Sequence, residues 1–240
     1  MSWTVERYAA VPSTMDVARE KARAGAPDGT VVVAESMEAG RGTRGHAWHA
    51  PAGGLYLSMV LRGIEHPHLL TLALGNAVAD ALEVAGVDPS LKWVNDVWVA
   101  GRKVAGILVE AESTGSRLEF LVAGIGVNVN GHRDAFPDAL RATATTLEDE
   151  LGCEACVPDL ETLLLQSVES WLTRVREGRE REIVDAFRAR DALRGREVFV
   201  LDGATQMRVV AQGVDDRGHL LVRGPDGTTQ AFQTGSVRLA

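Results

Sequence analysis

The sequence predicts an α+β fold: a mixed, largely antiparallel sheet flanked by helices, followed by a small C-terminal β-barrel. Three observations lead there. Apolar runs at residues 91–99, 104–112 and 118–129 are joined by very short polar turns, and strands joined that tightly must be antiparallel neighbours. Long amphipathic or wholly apolar helical stretches stand between and after such runs. From about Gly195 the texture changes to short β-rich runs at 198–201, 207–210, 220–222 and 237–239. Turn signals at Asp202-Gly203, Asp216-Arg217-Gly218 and Pro225-Asp226-Gly227 separate them, as in a small barrel. The 240 residues suffice for one full core and a small second domain, which we expect to divide as 1–194 and 195–240.

In chain order, residues 3–8 alternate like a short strand. Ser13 or Thr14 caps an amphipathic helix that runs through Ala24 and stops at Gly25. A buried β-branched strand follows at 30–34, then a glycine- and arginine-rich loop, then a second strand at 55–61. Residues 68–85 are apolar on most faces and predict a buried helix. After the strands at 91–99, 104–112 and 118–129, Pro158 opens a long helix with Leu160, Leu163, Leu164, Val168, Trp171, Leu172 and Val175 on its buried side. Residues 182–190 continue helical.

The formal net charge of −8, from 25 basic and 33 acidic residues, gives no general attraction to nucleic acid or an anionic membrane. An anionic substrate must then be met by a local basic cluster. No apolar run is long enough to span a bilayer, and the N-terminus lacks the apolar stretch of a secretory signal, so a cytoplasmic location is expected. Cys153 and Cys156 form a lone C-x-x-C with no second ligand pair, which reads as two small side chains before a helix.

The loop Gly40-Arg41-Gly42-Thr43-Arg44-Gly45 matches the dinucleotide pattern G-x-G-x-x-G. That pattern works by opening a helix whose free N–H groups hold a pyrophosphate. Here Ala50-Pro51-Ala52-Gly53-Gly54 and a strand follow instead, so a dinucleotide oxidoreductase is set aside. Arg41 and Arg44 are the better clue, because guanidinium groups suit carboxylate and phosphate, and the nearby Trp48 indole can cover a purine. Lys92-Trp93-Val94-Asn95-Asp96 interrupts an apolar run with polar groups, and Lys103 stands at a strand start with Gly106 behind it. Taken singly, each is equally a solvated loop or a hydrogen-bonded strand face.

Together, and in order, these segments resemble the biotin protein ligases over nearly the whole chain. The resemblance rests on Ser13-Thr14, the stretch from Gly40 to Trp48, Lys92 to Asp96, Gly101 to Glu110, and Gly124-Ile125-Gly126-Val127-Asn128, with the end from Phe232 to Leu239 resembling an SH3-like barrel. It implies a class II synthetase-like catalytic domain with ATP and biotin as substrates and Mg²⁺ as helper. The product would be biotinoyl-5′-adenylate, passed to a lysine of an apo biotin carboxyl carrier protein. On this analogy Arg41 and Lys103 are catalytic. Biotin would meet Ser13, Thr14, Met15, Met37, Arg41, Gly42, Thr43, Lys103, Gly106 and Gly124. The adenylate would meet Arg41, Trp48, Asn95, Asp96, Lys103 and Asn128, with Asp96 the candidate ligand for Mg²⁺.

Three departures stand out. Met37 replaces the usual Gln, Thr43 the usual Arg, and Val94 the usual Pro. A thioether cannot donate to a ureido group, and loss of one charge near the adenylate predicts looser retention of the intermediate. No helix-turn-helix precedes Trp3, so repressor activity, nucleic-acid partners and membrane partners are not expected. A homodimer through the strands at 104–129 is possible on the same analogy. The rival readings are a lipoate or octanoyl ligase of the same fold and a biotin-binding module without turnover.

Overall fold

The computed structural model describes residues 2–65, 67–202 and 205–240. Among these, the strands form a seven-stranded sheet in the order β1-β2-β3-β7-β6-β5-β4 and a five-stranded sheet in the order β11-β10-β9-β8-β12. The first contains β1 (Thr4–Val11), β2 (Thr30–Met37), β3 (Leu55–Leu61), β4 (Pro89–Lys92), β5 (Asp96–Val99), β6 (Arg102–Thr114) and β7 (Arg117–Val127). Its β1–β2 pair is parallel and every other pair antiparallel, which is the mixed sheet expected. The second contains β8 (Glu197–Asp202), β9 (Thr205–Val214), β10 (Leu220–Arg223), β11 (Thr229–Phe232) and β12 (Ser236–Leu239), all antiparallel. Its β11 was not anticipated, and the turn expected at Asp202-Gly203 falls outside the described residues.

Helices cover both faces of the large sheet, and the period-2 alternation of the strands assigns each residue to one of them. On one face Val32, Val60, Phe120 and Val122 pack against Met15, Ala18 and Ala22 of α1 (Thr14–Arg23). On the other, Val31, Val33, Leu57 and Ile125 join a larger core with α2 (Leu70–Val84), α5 (Val157–Arg176) and α6 (Glu180–Ala189). Short helices α3 (Asp138–Arg141) and α4 (Leu147–Leu151) lie in the connection after β7. The five-stranded sheet shares the larger core through Val198, Val200, Ala211 and Leu220. No described helix is long and apolar enough to cross a membrane.

One expectation needs correction. Residues 91–99 are not one strand: β4 and β5 pair antiparallel as a hairpin, with Lys92 opposite Asp96 and Trp93, Val94 and Asn95 forming the turn. The apolar run concealed a reversal that its Asn and Asp, both turn formers, permit. On α5, Leu163 is partly buried and packs against the larger core as expected, and Leu165 is buried there as well.

Candidate active site

The site arises where α1 begins. Along β7 and just past its end, the α1-side face reads Phe120, Val122, Gly124, Gly126, Asn128: large against the body of the helix, and glycine from its first turn onward. Gly126 pairs with Gly106 on β6, which in turn pairs with Asp96 on β5, and Asp96 with Lys92 on β4. Cross-strand register thus clears a floor and places charge at its edge. Above this floor lies a cavity of about 730 Å³, and residues from all five motif segments line it.

The apolar end is closed by thioethers. A side chain on Gly124 would put its Cβ 2.6 Å from the Met15 sulfur, so the glycine makes room for Met15. Met37 Sδ accepts from the Thr14 N–H at 3.4 Å and from its hydroxyl at 3.5 Å, while Ser58 Oγ donates to Thr14 Oγ at 2.8 Å. Ser13, at the N-cap position of α1, makes no cap bond, and its hydroxyl is buried without a protein partner. Such an orphaned group inside a cavity calls for a ligand or water to satisfy it.

The Trp48 indole lies flat on the glycine floor. A Cβ on Gly106 would come within 2.9 Å of it and one on Gly126 within 2.7 Å, and its buried N–H also lacks a protein partner. Its strand of loop is held by Trp48 N–H donating to the Gly40 carbonyl, 2.8 Å, and Gly42 N–H donating to the His46 carbonyl, 2.7 Å. Thr43 begins a short 3-10 turn in which Arg44 takes φ +58°. Arg41 reaches out of the loop to Asp16 at 2.5 Å.

At the polar end Asp96 sits between two ammonium groups, Lys103 at 2.5 Å and Lys92 at 2.6 Å. Burial pushes its carboxyl upward, but Lys103 and Lys92 outweigh this and hold it below its ordinary value of 3.8. Lys103 also stands 5.2 Å over the Trp48 ring, a cation–π arrangement. Asn95 and Asn128 are committed to scaffolding: Asn95 Nδ2 donates to the Ile107 carbonyl at 2.9 Å, and Asn128 Nδ2 to the Thr145 carbonyl at 3.0 Å.

All the residues named from sequence therefore meet in one place. Ser58, Lys92, Gly126 and the segment from Gly235 to Leu239 line the same cavity and were missed as site residues. Lys92 and Gly126 stood inside quoted motifs, so their spacing was an available signal. Ser58 and the C-terminal segment carried none.

Residues 8–128 match the family described as Biotin/lipoate A/B protein ligase family, and residues 194–239 match Biotin protein ligase C terminal domain. The chain is similar to the biotin--[acetyl-CoA-carboxylase] ligase of Paracoccus denitrificans, at 33% identity over 205 residues, covering 82% of this chain and 85% of that protein. It is also similar to the bifunctional ligase/repressor BirA of Bacillus spizizenii, at 39% identity over 147 residues, 59% of this chain but only 45% of that relative. Among solved structures, the biotin protein ligase from Aquifex aeolicus in complex with biotin and ATP superposes with a TM-score of 0.87 at 28% identity, covering 98% of this chain and 99% of that one. The chain belongs to the biotin protein ligase family.

Proposed function

We propose that this protein is an ATP-dependent biotin protein ligase. A carboxylate oxygen of biotin attacks the α-phosphorus of ATP, the bond to the β-phosphate breaks, and pyrophosphate leaves. The amine of a carrier-protein lysine then attacks the acyl carbon of biotinoyl-5′-adenylate, loses a proton, and AMP departs. The observation that carries this reading is the convergence of segments far apart in sequence on one cavity, with unpaired Ser13 and Trp48 donors and a Lys–Asp–Lys set at its edge.

The first step brings two anions together, so fixed positive charge stabilises its transition state most. Lys103 and Arg41 supply it, the former already aimed by Asp96 and Trp48. Ser13 and Thr14 offer hydroxyls to the ureido ring in the apolar end, and Trp48 shields the adenylate from water. Asp96 is the carboxylate of the cavity, and no described group of three or more His, Cys, Asp or Glu could by itself hold a metal. Mg²⁺ typically binds through one or two carboxylates plus substrate phosphates, and Asp96 would offer it an oxygen in place of its bond to Lys103 or Lys92. Bound that way, Mg²⁺ would neutralise charge on the phosphates, with Asp96 its protein ligand. The carrier is the apo biotin carboxyl carrier domain, and residues 195–240 form a C-terminal domain that packs on the larger core and reaches the cavity through Gly235 to Leu239.

Incubation with biotin, Mg-ATP and an apo carrier domain, read by avidin blot, tests the proposal. Labelling that lipoate does not compete away is expected. Absence of both adenylate and labelled carrier refutes it, and adenylation of lipoate in preference to biotin transfers the reading to the lipoate branch.

A further inference from the structure

Arg41 is the cation that the function above sets against the substrates, yet its own loop does not hold its side chain. The loop backbone closes on itself through the Arg41–Ala47 bridge, while the guanidinium crosses to other elements. Its Nη2 donates to Asp16 Oδ1 at 2.5 Å, in the first turn of α1, and lies 3.8 Å from Glu110 Oε2 on β6. Arg19, further along α1, donates to the same two oxygens: Nη1 to Asp16 Oδ1 at 3.0 Å, and Nη2 to Glu110 Oε2. Two carboxylates are thus each shared by the same two guanidinium groups. Arg19 is the inner member at 18% side-chain exposure, and Arg41 the outer one at 38%.

This ring is too exposed to contribute much to stability, since half-solvated ion pairs are screened. Its effect is on orientation. An arginine side chain held at neither edge samples many rotamers, and presenting a charge to a reacting anion requires one of them. A guanidinium bonded to Asp16 through one nitrogen keeps its remaining donors for another anion. Arg19 offsets one of the two carboxylate charges, and with Arg41 the four groups sum to zero, so the set adds no net charge of its own beside an anionic substrate.

We propose that Asp16 and Glu110, bridged by Arg19, are positioning residues that hold the Arg41 guanidinium toward the cavity it lines. The inference rests on the biotin ligase reading. It is tested by single-turnover adenylate formation from biotin and ATP in Asp16→Asn, Arg41→Ala and the double variant, with Glu110→Gln as a second probe. Asp16→Asn is expected to slow adenylation by about tenfold or more, the order that a misplaced catalytic group costs, with no change in melting temperature and with partial rescue by Asp16→Glu. In the Arg41→Ala background the same substitution should cost nothing further, because the group being positioned is gone. The same slowing factor in both backgrounds, or full rates in both Asp16→Asn and Glu110→Gln, would overturn the proposal. A wild-type chain that forms no adenylate overturns the reading beneath it instead.

Discussion

Gly126→Ala adds one methyl group to the floor of the cavity, and its consequence can be worked through from the coordinates. Gly126 lies in β7 and is not one of the glycines with positive φ, so the backbone accepts alanine and only side-chain space is at issue. The new Cβ would stand 2.7 Å from Trp48 Cε2, 2.8 Å from Nε1 and 2.9 Å from Cζ2. Ordinary contact begins at 3.4 Å, so the indole must lift by about 0.7 Å. The Lys103 ammonium stands 5.2 Å from the ring centroid and is tied to Asp96, so a shifted indole changes its contact with that cation. The displacement therefore reaches the cation that the reaction needs. Misplacement of about 1 Å can cost up to ~10²-fold in rate, so kcat/KM for adenylate formation should fall about 10- to 100-fold. The overpacking should cost about 1–3 kcal/mol of stability, read from urea unfolding. In a Trp48→Phe background, where the ring is smaller, the penalty on rate should shrink. A fully active Gly126→Ala, or an equal penalty in both backgrounds, would refute the steric argument.

Thr43→Arg should slow dissociation of biotinoyl-5′-adenylate from the enzyme by restoring a charge beside it; filter-binding off-rates equal to wild type would dismiss the role given to this position. Lys103→Ala should reduce adenylation by about 10²–10³-fold, the usual effect of removing one preorganised donor, and a variant with full pyrophosphate release would show that the lysine serves only Asp96. The Asp96 carboxyl is held below 3.8 in the folded protein, so its contribution to stability is present above that pH and lost as pH falls through the lower folded value. Urea midpoints between about pH 6 and about pH 3 should thus fall more steeply for wild type than for Asp96→Asn, whereas parallel curves would contradict the sign. Trp93 is 2% exposed and its indole N–H donates to the Gly218 carbonyl at 2.9 Å, so Trp93→Ala should cost about 3–5 kcal/mol in a urea titration. A loss under about 1 kcal/mol, the net value of a single hydrogen bond, would mean that the ring packs far less tightly than its burial indicates.

Most strands and helices were legible because their signals are local. Alternation in residues 3–8, the β-branched run at 30–34, the apolar runs joined by short turns through 118–129, the run of apolar residues in α2, and the closely spaced turns after residue 194 each follow from neighbours in the chain. The exception was also local in origin: hydrophobicity alone cannot distinguish a buried strand of nine residues from two strands of four joined by a turn, and the β4–β5 hairpin shows the difference. Residue type likewise pointed to Arg41, Lys103, Asp96 and Trp48, since few other side chains suit anions, a metal-bearing phosphate or a purine.

What residue type could not convey was who stands against whom. Periodicity assigns Gly106, Gly124 and Gly126 to one face of the sheet, but only the packed chain reveals that Trp48 rests on Gly106 and Gly126 while Met15 fills the space at Gly124. The pairing of Arg41 with Asp16 spans 25 positions, and the contribution of Gly235 to Leu239 to the cavity comes from the far end of the chain. Amino-acid order settled the chemistry available to this protein and the faces on which it is displayed, because propensity, periodicity and charge act over a few residues. The partners, the depth of the cavity and the direction in which each charge is aimed came from folding, because they depend on distances between segments that the chain brings together only when its two cores close.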